Sequence, residues 1–314
     1  MKKKHFAALM LFSFAANAQA QSSMSIYGLV DLGLAKTSGK TLIVRENHAS
    51  RLGIRGVENL GGGLSAVFNL EIEILADTGA HKGALFERQA NVGVRGGFGT
   101  AYLGRTKNLV DSAQNRVEPF ATDGVVGKVN EAMMRGGVGV SRVSNSLTYV
   151  SPSLSGLVIS AQAVASEVTG AHSGFGVLAT YDNGPISMHA GYESTVQTMA
   201  TLVEPTLWVV GGGYKIGPAK VTAAYSKGDT GVGTTGTFNS YLVGLVYTIG
   251  QGDAKAGYGN QTQSNSRVSN LNTVKELGIG YDYHLSKRTD LYAYAGRERV
   301  KSLTSIQLGL SHKF

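Results

Sequence analysis

The sequence predicts an all-β protein, a transmembrane antiparallel β-barrel of 16 strands. Three observations carry that expectation. Apolar and polar residues alternate with a two-residue period, tight turns and long connections alternate along the chain, and past residue 20 no run of 18 or more apolar residues offers a helical route through a membrane. A two-residue period sorts side chains onto the two faces of a strand, whereas a helix would scatter the same residues around its axis.

Composition narrows the classes further. The 314 residues include 43 glycines, 5 prolines and no cysteine. Neither a disulfide framework nor a cysteine-ligated metal site is possible. Glycine lacks a triplet period, so the chain is not collagenous, and the charged fraction of 16% is low for a soluble domain. An apolar fraction of 42% argues against disorder.

The first 20 residues read as an export signal. Met1-Lys2-Lys3-Lys4 is basic, residues 6–16 are apolar, and Ala18-Gln19-Ala20 is a small-residue cleavage site. The expected organisation is a signal peptide over 1–20 and a single barrel domain over 21–314. The chain carries a formal charge of +8 and stays net positive after losing Lys2, Lys3 and Lys4.

The strands can be read one by one. In Leu64–Leu75, Leu64, Ala66, Phe68, Leu70, Ile72 and Ile74 share one face; Ser65, Asn69, Glu71 and Glu73 share the other. Leu277, Ile279, Tyr281, Tyr283 and Leu285 oppose Glu276, Gly278, Gly280, Asp282 and His284. Ile306, Leu308, Leu310 and Phe314 oppose Ser305, Gln307, Gly309, Ser311 and Lys313. Val221, Ala223 and Tyr225 oppose Lys220, Thr222 and Ser226, and Ala254, Ala256 and Tyr258 oppose Asp253, Lys255 and Gly257. Tight turns fall at 59–63, 96–99, 151–156, 183–185, 217–218, 250–252 and 286–288. Longer polar stretches fall at 37–48, 77–84, 107–141, 168–172, 196–204, 228–236, 262–272 and 299–303. Seven short and eight long connections join 16 strands, the rhythm of a barrel with short turns at one rim and long loops at the other. A soluble β-sandwich or propeller would explain the alternation but not that rhythm. In hydrocarbon every backbone group needs a partner, so such a sheet closes on itself. At this strand number the closed sheet encloses an aqueous lumen. Tyr247, Tyr258, Tyr281, Tyr283 and Phe314 near strand ends suit interfacial aromatic girdles.

Other signals are weaker. Gly39-Lys40-Thr41 lacks the upstream glycine of a phosphate loop, where Leu34 stands instead. His48, His81, His172, His189, His284 and His312 form no ligand-spaced pair, so no metal is expected. No nucleophile–base–acid signature is present. Basic residues do not cluster as nucleic-acid binding requires, so no nucleic-acid partner is expected.

Several passages resemble the trimeric general porins of Gram-negative outer membranes, above all those of β-proteobacteria. They are Ser23-Met24-Ser25-Ile26-Tyr27-Gly28-Leu29-Val30-Asp31, then residues 50–64 (SRLGIRGVENLGGGL), residues 85–94 (LFERQANVGV), Phe98-Gly99, Leu103-Gly104-Arg105, residues 145–152 and residues 281–289. The chain also ends in Phe314, as those porins do. The resemblance implies a passive diffusion channel for ions and small hydrophilic solutes, in contact with outer-membrane lipids, assembled as a homotrimer and free of cofactors. It implies that Phe314 serves as the insertion signal. It also implies that the third long loop, 107–141, folds inward and narrows the bore, with Glu118 and Asp123 as its acidic candidates.

On the facing wall, Arg51, Arg88 and Arg142 match the family's basic cluster. Arg55 lies four residues from Arg51 and shares its face, while Leu52 and Ile54 take the other. Glu71, inward on its strand, joins the acidic side; pairing of these arginines with Glu71 and Glu73 is the structural alternative. Loop 107–141 itself is balanced, with Lys107, Arg116, Lys128 and Arg135 against Asp111, Glu118, Asp123 and Glu131. The arginines and the positive chain together predict a mild anion preference. A substrate-selective channel is the second reading. An outer-membrane barrel enzyme of lipase or protease type is the third, and it lacks a visible catalytic constellation.

Overall fold

A computed structural model describes residues 22–120, 124–127, 140–195, 205–229, 236–264 and 271–314. The expected signal peptide and Asp123 lie outside the described residues. The strands are β1 (Ser23–Thr37), β2 (Ile43–Arg45), β3 (Arg51–Gly61), β4 (Leu64–Leu75), β5 (Ala80–His81), β6 (Gln89–Gly96), β7 (Gly99–Lys107), β8 (Arg142–Val150) and β9 (Leu157–Val164). They continue as β10 (Gly174–Asn183), β11 (Ile186–Ser194), β12 (Thr206–Ile216), β13 (Ala219–Asp229), β14 (Thr237–Ile249), β15 (Gly252–Ser264), β16 (Leu271–His284), β17 (Thr289–Glu298) and β18 (Leu303–Lys313). Among the described residues one short helix, α1 (Leu109–Gln114), follows β7. Among the described residues no helix is long and apolar enough to cross a membrane.

β2 and β5 are short ribbons inside long connections, paired with β1 and β4 respectively. The other sixteen strands form one antiparallel ring in which each pairs with the next and β18 returns to β1. The closed 16-stranded barrel is the architecture expected from the turn rhythm. β1 pairs β3 from Ser23↔Val57 to Leu29↔Arg51 along one edge and β18 from Leu29↔Lys313 to Thr37↔Ser305 along the other. That offset between its two edges is the stagger a tilted, closed sheet requires. The last residue completes the seam: Phe314 N–H donates to the Gly28 carbonyl at 3.1 Å, and Gly28 N–H donates to the Phe314 carbonyl at 3.1 Å.

The short turns are glycine-driven where the backbone demands it. Gly61, Gly62 and Gly63 hold φ values of 83°, 60° and 80° in succession, a left-handed run that residues bearing a Cβ rarely adopt. The two faces of the wall differ as the alternation requires. Val221, Tyr225, Val243, Leu245, Ile279 and Leu308 are exposed on the outside, whereas Thr222, Ser226, Ser240, Gln261, Glu276 and Gln307 are buried on the inside. Water would penalise the outer face, but hydrocarbon does not, and there a lysine or arginine would cost about 2–4 kcal/mol at mid-depth.

Aromatic residues gather at two levels. Phe175, Tyr192 and Trp208 stack in sequence across β10–β12, with ring centroids 5.5 and 4.4 Å apart, and Tyr241 faces Tyr258 at 6.1 Å. At the short-turn end, Tyr281 donates to the Ile249 carbonyl at 3.1 Å and Tyr283 to Gln251 Oε1 at 2.8 Å. Rings with an apolar body and a polar tip suit the membrane–water boundary.

Candidate pore-lining site

The connection after β7 opens with α1, whose N-cap is Asn108: its Oδ1 accepts from Val110 N at 2.8 Å and Asp111 N at 3.2 Å. Side-chain capping of this kind satisfies backbone N–H groups that a helix start leaves unpaired. The helix then buries Leu109, Val110 and Ala113 against the inner wall, where Leu109 and Ala113 meet Leu178, and Val110 joins Leu207, Val209 and Leu242.

Past the helix, the chain crosses the inner wall along a row of missing side chains. Gly244, Gly257, Gly278 and Gly296 are successive register partners across β14, β15, β16 and β17, and Thr222 of β13 extends the row. Thr222 Oγ1 donates to the Val117 carbonyl at 2.6 Å and Lys220 Nζ to the Arg116 carbonyl at 3.2 Å. A Cβ at Gly244 would meet Pro119 at 3.0 Å, one at Gly257 would meet Phe120 at 3.2 Å, and one at Gly296 would meet Val126 at 2.8 Å. Val125 N–H then donates to Gln307 Oε1 of β18 at 3.1 Å. Phe120 and Val126 are buried there with Tyr292 and Tyr294, and the Phe120 ring sits edge-on to Tyr294 at 5.3 Å. The described parts of residues 107–141 therefore lie inside the barrel, against β9–β18.

The predicted basic and acidic residues come together unevenly. Arg88 is 7% exposed, and its guanidinium bridges Glu71 at 2.6 Å and Glu73 at 2.9 Å. Lys82 also reaches Glu73 at 2.7 Å, and Tyr27 donates to Glu71 at 2.8 Å. Arg88 and Glu71, expected on opposite sides, thus meet on one wall, which is the structural pairing the sequence left open. The physical reason is local. Arg88 stands one residue before β6, outside the strand, so its direction follows the preceding turn rather than strand alternation. Arg142 joins the same cluster, its Nε donating to the Arg88 carbonyl at 2.9 Å. Arg51 starts β3 opposite Glu73 and Arg55 lies opposite Asn69 on the same face. Arg55 is exposed and lies over the Tyr27 ring, 4.9 Å from its centroid.

Glu118 sits in the connection with one oxygen, Oε1, accepting from Phe120 N at 3.1 Å and the other buried without a partner. Burial first, and the nearby Glu276 second, push its carboxyl up to about 8, with Lys255 opposing. The group is therefore largely neutral at pH 7. On β15 nearby, Lys255 pairs with Asp282 at 2.5 Å, and Tyr294 donates to the same carboxylate at 2.5 Å.

Sequence reading missed the glycine row and Arg95, an inward arginine at the turn end of β6. Strand phase alone places each of these residues inward, but only the register shows that the glycines are neighbours. Among the described residues no group of three His, Asp or Glu side chains has metal-binding geometry.

A closed barrel with an apolar exterior, a polar interior and a peptide segment laid along its inner wall defines a membrane channel of the outer-membrane type. The model of the Gram-negative porin family matches residues 6–303, and the chain belongs to that family. It is a passive channel of the bacterial outer membrane. An outer membrane porin protein of Bordetella pertussis is 29% identical over 100% of both chains. Outer membrane porin protein 32 of Delftia acidovorans is 28% identical, covering 99% of this chain and 100% of its own. Among solved structures, the anion-selective porin from Comamonas acidovorans superposes with a TM-score of 0.81 at 26% identity, over 94% of this chain and 100% of that one. The trimer form of OmpT of Vibrio cholerae shares the fold, with a TM-score of 0.76 at 15% identity over 93% of this chain and 99% of that one.

Proposed function

We propose that the channel passes ions and small hydrophilic solutes through a bore narrowed by the connection 107–141, with a mild preference for anions and no chemical step. The carrying observation is the charge inventory at the level of that connection. Arg88 is matched by carboxylates, Glu118 is held largely neutral, and Arg142 packs beside Arg88 with backbone and serine oxygens as its hydrogen-bond partners. Among these described residues the surplus is positive, and low-dielectric walls focus the field of such a surplus across a narrow aqueous gap. Arg51, Arg55 and Arg142 form the basic side in this reading. Glu118 and Asp123 are the loop's acidic residues, and Glu71 holds Arg88 in place. A solved relative described as an anion-selective porin supports the preference, and the trimer form of a fold relative supports assembly as a homotrimer. Phe314 is the insertion signal in the same reading, and residues 1–20 direct export.

Reversal potentials in planar bilayers under a KCl gradient test the preference. An anion-selective sign is expected, and clear cation selectivity would overturn it. Closure in three equal conductance steps is the expected signature of the trimer.

A further inference from the structure

On the short-turn side of the Arg88 cluster, the inner wall of β1, β3, β4, β6 and β7 forms a cleft of about 520 Å³. Its polar lining includes Ser25, Arg55, Asn69, Asn91, Arg95 and Thr100, and no Asp or Glu lines it. Both arginines are exposed to the lumen. Arg55 Nε donates to Ser25 Oγ at 3.2 Å and Arg95 Nε to Thr100 Oγ1 at 3.4 Å, so hydroxyls hold the two guanidinium groups in place. Among the described residues, no carboxylate lies within ion-pair distance of either. Arg88 differs in this respect, because two carboxylates already occupy it.

We infer that this cleft is an oxyanion-binding subsite whose ligand is the phosphate monoester of a small polyhydroxylated molecule. The inference rests on the channel reading above and names a solute class for it. A guanidinium presents a planar fork of donors that matches a phosphate face. Two such forks line the cleft, Arg55 held toward Ser25 of β1 and Arg95 toward Thr100 of β7, and each supplies positive charge without a competing carboxylate. Beside the apolar Val57, Val67 and Phe68, the lining offers neutral amides: Asn69 accepts from Tyr27 through Oδ1, which leaves its amide nitrogen outside that bond, and Asn91 donates through Nδ2, which leaves its carbonyl outside. Such groups serve sugar hydroxyls as donor and acceptor. The volume exceeds what a bare phosphate fills and lies within the range of small-molecule pockets.

Glucose 6-phosphate, inorganic phosphate and glucose, each added at the short-turn side of single channels in KCl, test the assignment. Glucose 6-phosphate is expected to lower the wild-type current saturably, glucose to leave it unchanged, and inorganic phosphate to act more weakly. Arg55→Gln and Arg95→Gln are each expected to raise the half-saturating concentration by about five- to tenfold. Arg55→Lys and Arg95→Lys keep the charge without the fork and should fall between. Equal block of wild type and both Gln variants would overturn the subsite. Block by glucose alone, or by inorganic phosphate as strongly as by the ester, would overturn the ligand class. KCl steps retained without any saturable block would sink this inference alone. Absence of steps in the wild type would sink the channel reading and the inference with it.

Discussion

Replacing Gly278 tests whether the glycine row holds the peptide segment inside the lumen. A Cβ at that position runs into Val126 Cγ1 and comes within 3.0 Å of Phe120 Cε2. Adding a methyl to a packed site costs about 1–3 kcal/mol. Releasing the segment would give up the burial of Phe120, 5% exposed, and Val126, 1% exposed, each side chain worth about 1.5–3 kcal/mol. Release therefore forfeits roughly 3–6 kcal/mol in total, more than the alanine clash. Gly278→Ala should leave the segment seated but strained, giving the same main conductance with more current noise. Gly278→Leu adds three further carbons to the same spot and should tip the balance, giving a larger conductance. The barrel itself should persist in both, because Leu277 and Ile279 still face outward and the pairing of Gly278 with Gly257 and Gly296 uses only backbone groups. Heat-modifiable gel mobility checks the fold and single-channel recording reads the bore. Restoration of quiet channels by Val126→Gly in the Gly278→Ala background would localise the effect. A Gly278→Leu channel with wild-type conductance and noise would refute the seating argument.

Two further outcomes are expected. Arg88→Gln removes the guanidinium shared by the buried carboxylates of Glu71 and Glu73 and leaves Tyr27 on the first and Lys82 on the second, a loss of at most about 3–5 kcal/mol, so the folded band on gels should vanish at a lower temperature; wild-type heat resistance would contradict this. Glu118, held near 8 by burial and Glu276, gains its negative charge as pH rises past that value, so anion preference in KCl gradients should decline between pH 7 and 9 in wild type and stay flat in Glu118→Gln.

What the sequence disclosed follows from what is local. Alternation at Leu277 to Leu285 and turn glycines at 61–63 act within a few residues, so strand number and the inward phase of Arg51 and Arg55 were legible. Arg88 was not, because Gln89 begins the strand and Arg88 obeys the turn before it. The partners of Glu71 depend on which strand lies beside β4 and at what register, information spread over separate parts of the chain. The glycine row is the extreme case. Gly244, Gly257, Gly278 and Gly296 look like ordinary strand glycines until four registers align them. Glu118 carried its chemistry visibly, but its protonation depends first on burial against the inner wall and then on Glu276, far away in sequence.

Because neighbouring residues of a strand look in opposite directions, the glycine row was cut without touching the greasy skin formed by Val243, Leu245, Leu277 and Ile279. The tube's calibre and its anchorage are thus written in interleaved letters. A lineage meeting a new nutrient can respell the inside while the envelope goes on accepting the same cylinder, and an engineer boring a sensor can do likewise.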